Sequence, residues 1–204
     1  VSAPCVGICV PSKGQPALGF LRSAVKIVSA VMQHGPAVLW FDAEGTEVPQ
    51  SRYGLALQAI KEPVTHLLWL DDDMELPGDC VHRLLDAGKD IVGANYRRRR
   101  PPYLGTATSL ADAVVDSVGQ VGLERVRSIG FGCALVRREV FEAIPQPWFL
   151  CHWDPAVEGY YTEDVYFCDR AREVGFEVWV DHGLSRDVAH IGTVAWRFRS
   201  KPNG

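Results

Sequence analysis

Apolar residues fall into short blocks separated by clusters of turn-forming residues, and the blocks alternate between two spacings. Cys5–Val10 is a compact apolar run closed by Pro11, Lys13, Gly14 and Pro16, the pattern of a strand entering a turn. Leu18–Met32 has helical spacing, with Leu21, Val25, Val28 and Met32 on one stripe, which predicts an amphipathic helix. A strand over Ala37–Asp42 and a helix over Gln50–Lys61, with Leu55, Leu57 and Ile60 apolar, follow. Thr65–Leu70 predicts a buried strand that runs directly into Asp71, Asp72 and Asp73. Gly78–Ala87 predicts a helix and Asp90–Ala94 a strand.

The stretch from Tyr96 to Arg127 is less regular, with Val114–Val126 alternating loosely enough for antiparallel strands. Beyond it the pattern predicts a strand over Ser128–Val136 and a short helix over Arg137–Ile144. A helix over Thr162–Val174, a strand over Phe176–Val180 and a last short strand over Val188–Ile191 complete it. Strand–helix alternation of this kind implies an α/β fold: a mostly parallel central sheet with helices on both faces, plus a smaller antiparallel part. Ligands of open α/β sheets bind at the carboxyl ends of strands, and the acidic triplet sits at one such end.

The chain has 204 residues, an expectation of one domain over 1–204. Hydrophobic residues at 47% and charged residues at 23% exclude a disordered chain. A formal net charge of -4 means that an anionic partner must meet a local patch rather than the molecule as a whole. No apolar run has the roughly 20 residues of a membrane span. The first ten residues lack the build of a signal peptide, and Val1 in place of Met gives the expectation of a trimmed start. None of the six cysteines forms a C-x-x-C pair, so buried reduced thiols and a cytoplasmic location are expected.

Three consecutive carboxylates repel one another and need a neutralising partner. Hard oxygen ligands suit Mg²⁺ or Mn²⁺, and such an ion can bridge a departing diphosphate. In extended backbone Asp71 and Asp73 point to one side and Asp72 to the other, giving a D-x-D arrangement. The plainer alternative is a solvated acidic turn, or a cap for the helix that begins near Pro77. A haloacid-dehalogenase-type phosphatase also carries Asp-x-Asp after a strand, but Glu75 and the position far from the chain start argue against it.

Four segments now resemble a known family. They are Gly7–Ser12, Val48–Tyr53, Leu68–Pro77, and Tyr161–Cys168 followed by Gly175-Phe176 and Ala189-His190-Ile191-Gly192. In order and spacing they are similar to GT-A glycosyltransferases, especially short family 2-like bacterial and phage members. The resemblance implies a single GT-A (nucleotide-diphospho-sugar transferase) Rossmann-like domain. Residues 1–95 would bind the nucleotide sugar and residues 96–204 the acceptor. It implies Asp71, Asp73 and His190 as ligands of Mn²⁺ or Mg²⁺, and Pro11, Ser12, Arg52, Asp71 and Asp72 as donor-binding residues. Glu163 and Asp164 match the Glu-Asp pair that faces the acceptor, where one carboxylate acts as base. Tyr53 departs from the pattern, since many relatives carry Asn there.

Each of these residues also has a duller explanation. Glu163 and Asp164 open a helix, where acidic side chains favour the dipole. His190 has a rival ligand in His182. Gly130 and Gly132 do not form a dinucleotide fingerprint and read as sites of close backbone approach. Arg97–Arg100 is either a solvated face or a phosphate-binding loop. With Trp153 and Tyr161, Arg97 and Arg98 form the candidate acceptor set, and a polyanion or a DNA base bearing a hydroxymethyl group is one candidate acceptor. The leading expectation is transfer of a sugar from a nucleotide-diphosphate donor, UDP favoured over GDP, to a hydroxyl. The alternatives are a non-catalytic carbohydrate- or nucleic-acid-binding module and a nucleotidyltransferase.

Overall fold

The computed structural model describes residues 3–45, 47–155, 158–192 and 195–196, the last pair as backbone only. The reading of Val1 as a trimmed start lies outside the described residues. Strand β1 (Cys5–Ser12) leads through α1 (Leu18–His34), β2 (Ala37–Glu44) and α2 (Val48–Ala59) to β3 (His66–Leu70). Then come β4 (Met74–Glu75), α3 (Cys80–Asp86), β5 (Ile91–Gly93), β6 (Leu123–Val126), β7 (Cys133–Arg137) and α4 (Arg138–Ala143). A hairpin of β8 (His152–Asp154) and β9 (Gly159–Tyr161) precedes α5 (Glu163–Glu173). Strand β10 (Val178–Asp181), α6 (His182–Asp187), β11 (Ala189–Ile191) and β12 (Ala195–Trp196) follow.

The central sheet has seven strands in the order β2-β1-β3-β7-β5-β10-β6. Strand β1 pairs in parallel with β2 and β3, and β5 with β10. Strand β7 lies antiparallel between β3 and β5, and β6 runs antiparallel to β10. Five strands therefore share one direction, which bears out the mostly parallel α/β sheet, and two small sheets supply the antiparallel part.

The run Leu67-Leu68-Trp69-Leu70 explains why β3 is central: a strand covered on both faces must be apolar at every position. Leu67 and Trp69 enter one core with Leu55 of α2, Phe141 of α4 and Phe167 of α5. Leu68 and Leu70 enter the other core with Phe20 and Ile27 of α1, Leu84 of α3 and Leu184 of α6. Full burial of one such Leu is worth roughly 1.5–3 kcal/mol.

Helix α1 forms where the spacing predicts it but buries a different stripe. Phe20, Ser23, Ile27 and Val31 face the core, whereas Leu21, Val25 and Met32 are exposed. The two stripes are adjacent on the helix. The larger Phe20 and the Ser23 hydroxyl, which donates to the Gly19 carbonyl (2.9 Å) and accepts from the Leu76 amide (2.9 Å), select the inner one.

The irregular middle segment is organised by Asn95, a fully buried residue. Its amide nitrogen donates to the Val115 carbonyl and the Ser117 hydroxyl, and its oxygen accepts from the Thr106 and Ala107 amides. Of the antiparallel strands expected over Val114–Val126, only β6 forms as a strand, with Val114 in an isolated bridge to Thr108. The strand expected from Ser128 begins at Cys133, because 128–132 passes beside Tyr96. A Cβ on Gly130 or Gly132 would lie 2.5 or 2.7 Å from the Tyr96 hydroxyl. That is the close approach which the two glycines permit. Cys9, Cys80, Cys133 and Cys168 are buried free thiols, Cys5 is half-buried and Cys151 is exposed. Among the described residues no helix is long and apolar enough to cross a membrane.

Candidate functional site

Strand β3 ends at Leu70, and the next three residues form a turn rather than continuing in extended backbone. The turn is pinned on three sides: the Asp71 amide donates to the Gly132 carbonyl (3.2 Å), the Asp72 carbonyl accepts from Ala17 (2.9 Å), and the Asp73 carbonyl accepts from Ile191 (2.7 Å). All three carboxylates consequently line one cavity of about 490 Å³. This corrects the expectation that Asp72 points away from its neighbours, which holds only for a straight strand. The turn does not cap a helix either, since α3 begins at Cys80 with Asp79 before it.

Each carboxylate has its own partner. The Ser12 hydroxyl donates to Asp72 Oδ2 (2.5 Å), which ties the β1 loop to the triplet. Arg52 Nη2 donates to Asp71 Oδ1 (2.8 Å), and Arg52 Nε donates to Glu163 Oε1 (3.1 Å). Asp73 Oδ2 meets Arg99 Nη1 at 2.9 Å, and Asp73 Oδ1 faces His190 Nε2 at 3.5 Å.

Arg52 projects from α2 and is only 2% exposed. Burial opposes its charge, but Asp71, Glu163 and Asp164 overcome this and hold the guanidinium protonated. Its plane also lies 5.6 Å from the Trp69 ring and 5.7 Å from the Phe131 ring. Arg52 therefore lines the cavity with its guanidinium engaged by two protein carboxylates. Burial pushes the Asp71 carboxyl above its ordinary value more than Arg52 lowers it, and Asp73 and Glu163 add to the rise.

His190 reaches Asp73 because β11 pairs with β4, opposing His190 to Met74 directly after the triplet. Its Nδ1 lies 3.0 Å from the Arg97 carbonyl, which can only accept, so Nδ1 carries the hydrogen and the ring is held in place. Burial would raise the Asp73 carboxyl, but the hydrogen bond and charge of His190 and the charge of Arg99 hold it below its ordinary value. The rival His182 is buried elsewhere, with Nδ1 at 2.9 Å from the Ser117 hydroxyl and Nε2 at 2.9 Å from Glu124. It has a structural role.

Among the described residues no set of three His, Cys, Asp or Glu stands close enough to hold a metal ion by itself. Asp71 is turned to Arg52, which leaves Asp73 and His190 as the pair on one wall. That donor set fits a hard divalent ion of the Mg²⁺ or Mn²⁺ type. Such ions are bound through one or two protein ligands plus substrate phosphates rather than in an all-protein cage.

Glu163 and Asp164 open α5 with Thr162 before them, so their dipole interaction is satisfied as well. Their environments differ. Glu163 is 8% exposed, paired with Arg52 and within 3.9 Å of the Cys151 thiol. Asp164 Oδ1 accepts from the Thr162 hydroxyl and from the Val165 amide (2.8 Å). Burial first, then the charge of Glu163, push its carboxyl up to about 6. Asp164 and Thr162 line the triplet cavity and also a second cavity of about 450 Å³, so Asp164 stands where the two meet.

Arg98, Tyr160, Tyr161, Arg127 and Ser128 line the second cavity. Of the candidate acceptor set, Arg98 and Tyr161 are brought there. Arg97 and Trp153 line neither cavity: Arg97 Nη1 donates to the Tyr103 carbonyl (3.3 Å), and Trp153 is 52% exposed with its ring edge against Tyr160. Trp148 belongs to the core, its indole N–H donating to the Phe141 and Ile144 carbonyls. Sequence reasoning missed Lys13, Gln15, Ser51 and Thr162 on the triplet cavity, and Arg127, Ser128 and Thr106 on the second. Lys13 and Gln15 follow β1 at its carboxyl end and were legible on that ground. Nothing local marks Ser128.

A sheet of this order with its cavity at the carboxyl ends of β1 and β3 is a Rossmann-like α/β architecture. No family model matches the sequence, and no curated protein does. Solved structures do match in shape. A197 from STIV superposes with a TM-score of 0.61 at 16% identity, over 98% of this chain and 96% of that one. GalNAc-T7, solved with UDP, GalNAc and Mn²⁺, superposes with a TM-score of 0.57 at 11% identity, over 97% of this chain. The match spans 46% of the GalNAc-T7 chain, less than half its length. The chain has the GT-A fold.

Proposed function

We propose that the chain is a metal-dependent glycosyltransferase that moves a sugar from a nucleotide-diphosphate donor to an acceptor hydroxyl. The observation that carries this reading is the position of Asp164, between a cavity walled by Asp71, Asp72, Asp73 and His190 and a second cavity walled by tyrosines, hydroxyls and Arg98. The first suits a diphosphate and its cation, and the second suits an acceptor. The GalNAc-T7 structure holds UDP and Mn²⁺, which favours UDP over GDP as the donor base and Mn²⁺ or Mg²⁺ as the cofactor.

In this reading Pro11, Ser12, Lys13 and Gln15 receive the nucleoside, with Ser12 locked onto Asp72. Asp73 and His190 would hold the cation together with the diphosphate oxygens. When bound, that ion supplies positive charge to the leaving diphosphate. Arg52 keeps Asp71 and Glu163 in place and neutralised. The free oxygen of Asp164 takes the proton from the acceptor hydroxyl as its oxygen bonds to the anomeric carbon and the bond from that carbon to the diphosphate oxygen breaks. A base on the acceptor side of the sugar makes the displacement inverting.

Residues 1–95 and 96–204 then correspond to a donor half and an acceptor half of one domain, with an exception. Arg99, Thr162, Glu163, Asp164 and His190 come from the second half yet wall the donor cavity. The test is donor hydrolysis and transfer with UDP-sugars and Mn²⁺ in the intact chain and in Asp164→Asn. Metal-independent binding of UDP, with no turnover of any nucleotide sugar, would remove the proposal.

A further inference from the structure

Ser128 is 1% exposed, and its hydroxyl is a buried group without a hydrogen-bond partner among the described residues. That hydroxyl has almost no accessible surface, so it lies beneath the cavity wall rather than open to a ligand. The wall of the second cavity also carries Thr106, Thr108 and Thr162. The wall is therefore rich in hydroxyls.

The remaining wall residues divide by charge. Arg127 has its guanidinium neutralised by Asp169 and Asp112. Arg98 is exposed and has no ion pair among the described residues. Tyr160 is 74% exposed and offers a ring to stack on. The cavity thus offers a flat aromatic surface, hydroxyl partners and one uncompensated cation, with Asp164 where it meets the first cavity.

We infer that the acceptor is a saccharide that carries an anionic group, a uronate carboxylate or a phosphate monoester. The inference rests on the reading of Asp164 as the base between the two cavities. The anionic group sits on Arg98, the sugar ring lies against Tyr160, its hydroxyls face Thr108 and Thr162, and the reacting hydroxyl reaches Asp164. A polyanion such as DNA fits this cavity less well, because Arg98, Arg99 and Arg100 line a separate exposed groove beside His190. Arg97 is turned inward to the Tyr103 carbonyl and Arg99 is paired with Asp73. Only Arg98 of the run reaches the second cavity.

The experiment is ligand-observed NMR with the intact chain, without donor, titrating methyl glucoside, methyl glucuronoside, methyl glucoside 6-phosphate and a short single-stranded oligonucleotide. One of the two anionic glycosides should bind about ten-fold or more tighter than the neutral one, and which of them does so identifies the anion. Arg98→Gln should abolish that preference and leave the neutral glycoside unchanged. Equal affinity for neutral and anionic glycosides, no glycoside binding, or a preference that survives Arg98→Gln overturns the inference. So does tight oligonucleotide binding with a steep salt dependence, which would point to nucleic acid. UDP binding with Mn²⁺ is measured separately on the same samples, so a failure of the donor reading is seen independently of the glycoside result.

Discussion

His190 Nε2 stands 3.5 Å from Asp73 Oδ1, although one residue follows β3 and the other belongs to β11 near the end of the chain. Their approach depends on the short antiparallel pairing of β11 with β4 and on the hydrogen bond from His190 Nδ1 to the Arg97 carbonyl. Two distant segments are thereby brought to the wall of one cavity, and the electrostatics of that wall give the following expectations.

Asp164→Asn should lower kcat by roughly 10²–10⁴-fold with little change in donor affinity, because only proton transfer from the acceptor is lost. The carboxyl lies near 6, so kcat/KM of the intact chain should rise with pH through about 6 and then level off as the base ionises. NMR of the product should show inverted anomeric configuration. A flat profile from pH 5 to 8 would remove Asp164 from the base role.

The same raised carboxyl links stability to pH. Its folded value lies above the ordinary one of 3.8. A group of this kind stabilises the fold fully below the unfolded value and loses that contribution as pH rises through about 6. Asp164→Asn should therefore have little effect on Tm near pH 4 and raise it at pH 7–8 by a few degrees, about 1 kcal/mol. Thermal melts at the two pH values check the sign.

Arg52→Met should destabilise the fold by about 3–5 kcal/mol, since it leaves Asp71 and Glu163 facing each other without their cation. That is roughly a 10 °C fall in Tm for a chain of this size. Adding Glu163→Gln to Arg52→Met should recover part of the loss, as one of the two stranded charges is then gone. Thermal unfolding of the single and double variants measures this.

Arg99 holds Asp73 Oδ2 at 2.9 Å and also donates to the Ile191 carbonyl (3.2 Å). Its charge opposes a cation at the other oxygen, Asp73 Oδ1, which faces His190. The pair is half exposed, so the penalty is small, and Arg99→Gln should tighten Mn²⁺ binding without nucleotide by up to about five-fold. Electron paramagnetic resonance titration of Mn²⁺ reads this directly.

The sheet was largely legible because its central strands are continuous apolar runs ending in turn residues, as Thr65–Leu70 before the triplet shows. The triplet cavity was legible through residues at the carboxyl ends of strands. What was not legible depends on tertiary partners. The buried stripe of α1 was one position away from the expected one, since both stripes are apolar and only the contacts of Phe20 and Ser23 choose between them. The last strand was expected over Val188–Ile191 and forms as β11, but β4 is too short for a periodicity, so the β4–β11 pairing that delivers His190 was not legible. Ser128 carries no local signal at all, because its unpaired hydroxyl exists only once the surrounding wall has formed.

The central claim is that Asp73 and His190 bind a divalent ion jointly with a nucleoside diphosphate, and calorimetric titration of UDP with and without Mn²⁺ tests it most directly. Mn²⁺ should tighten UDP binding by about ten-fold or more, and Asp73→Asn should remove that gain while leaving the metal-free affinity and the melting curve nearly unchanged. The same UDP affinity with Mn²⁺ and with chelator, or a full Mn²⁺ effect in Asp73→Asn, would contradict it.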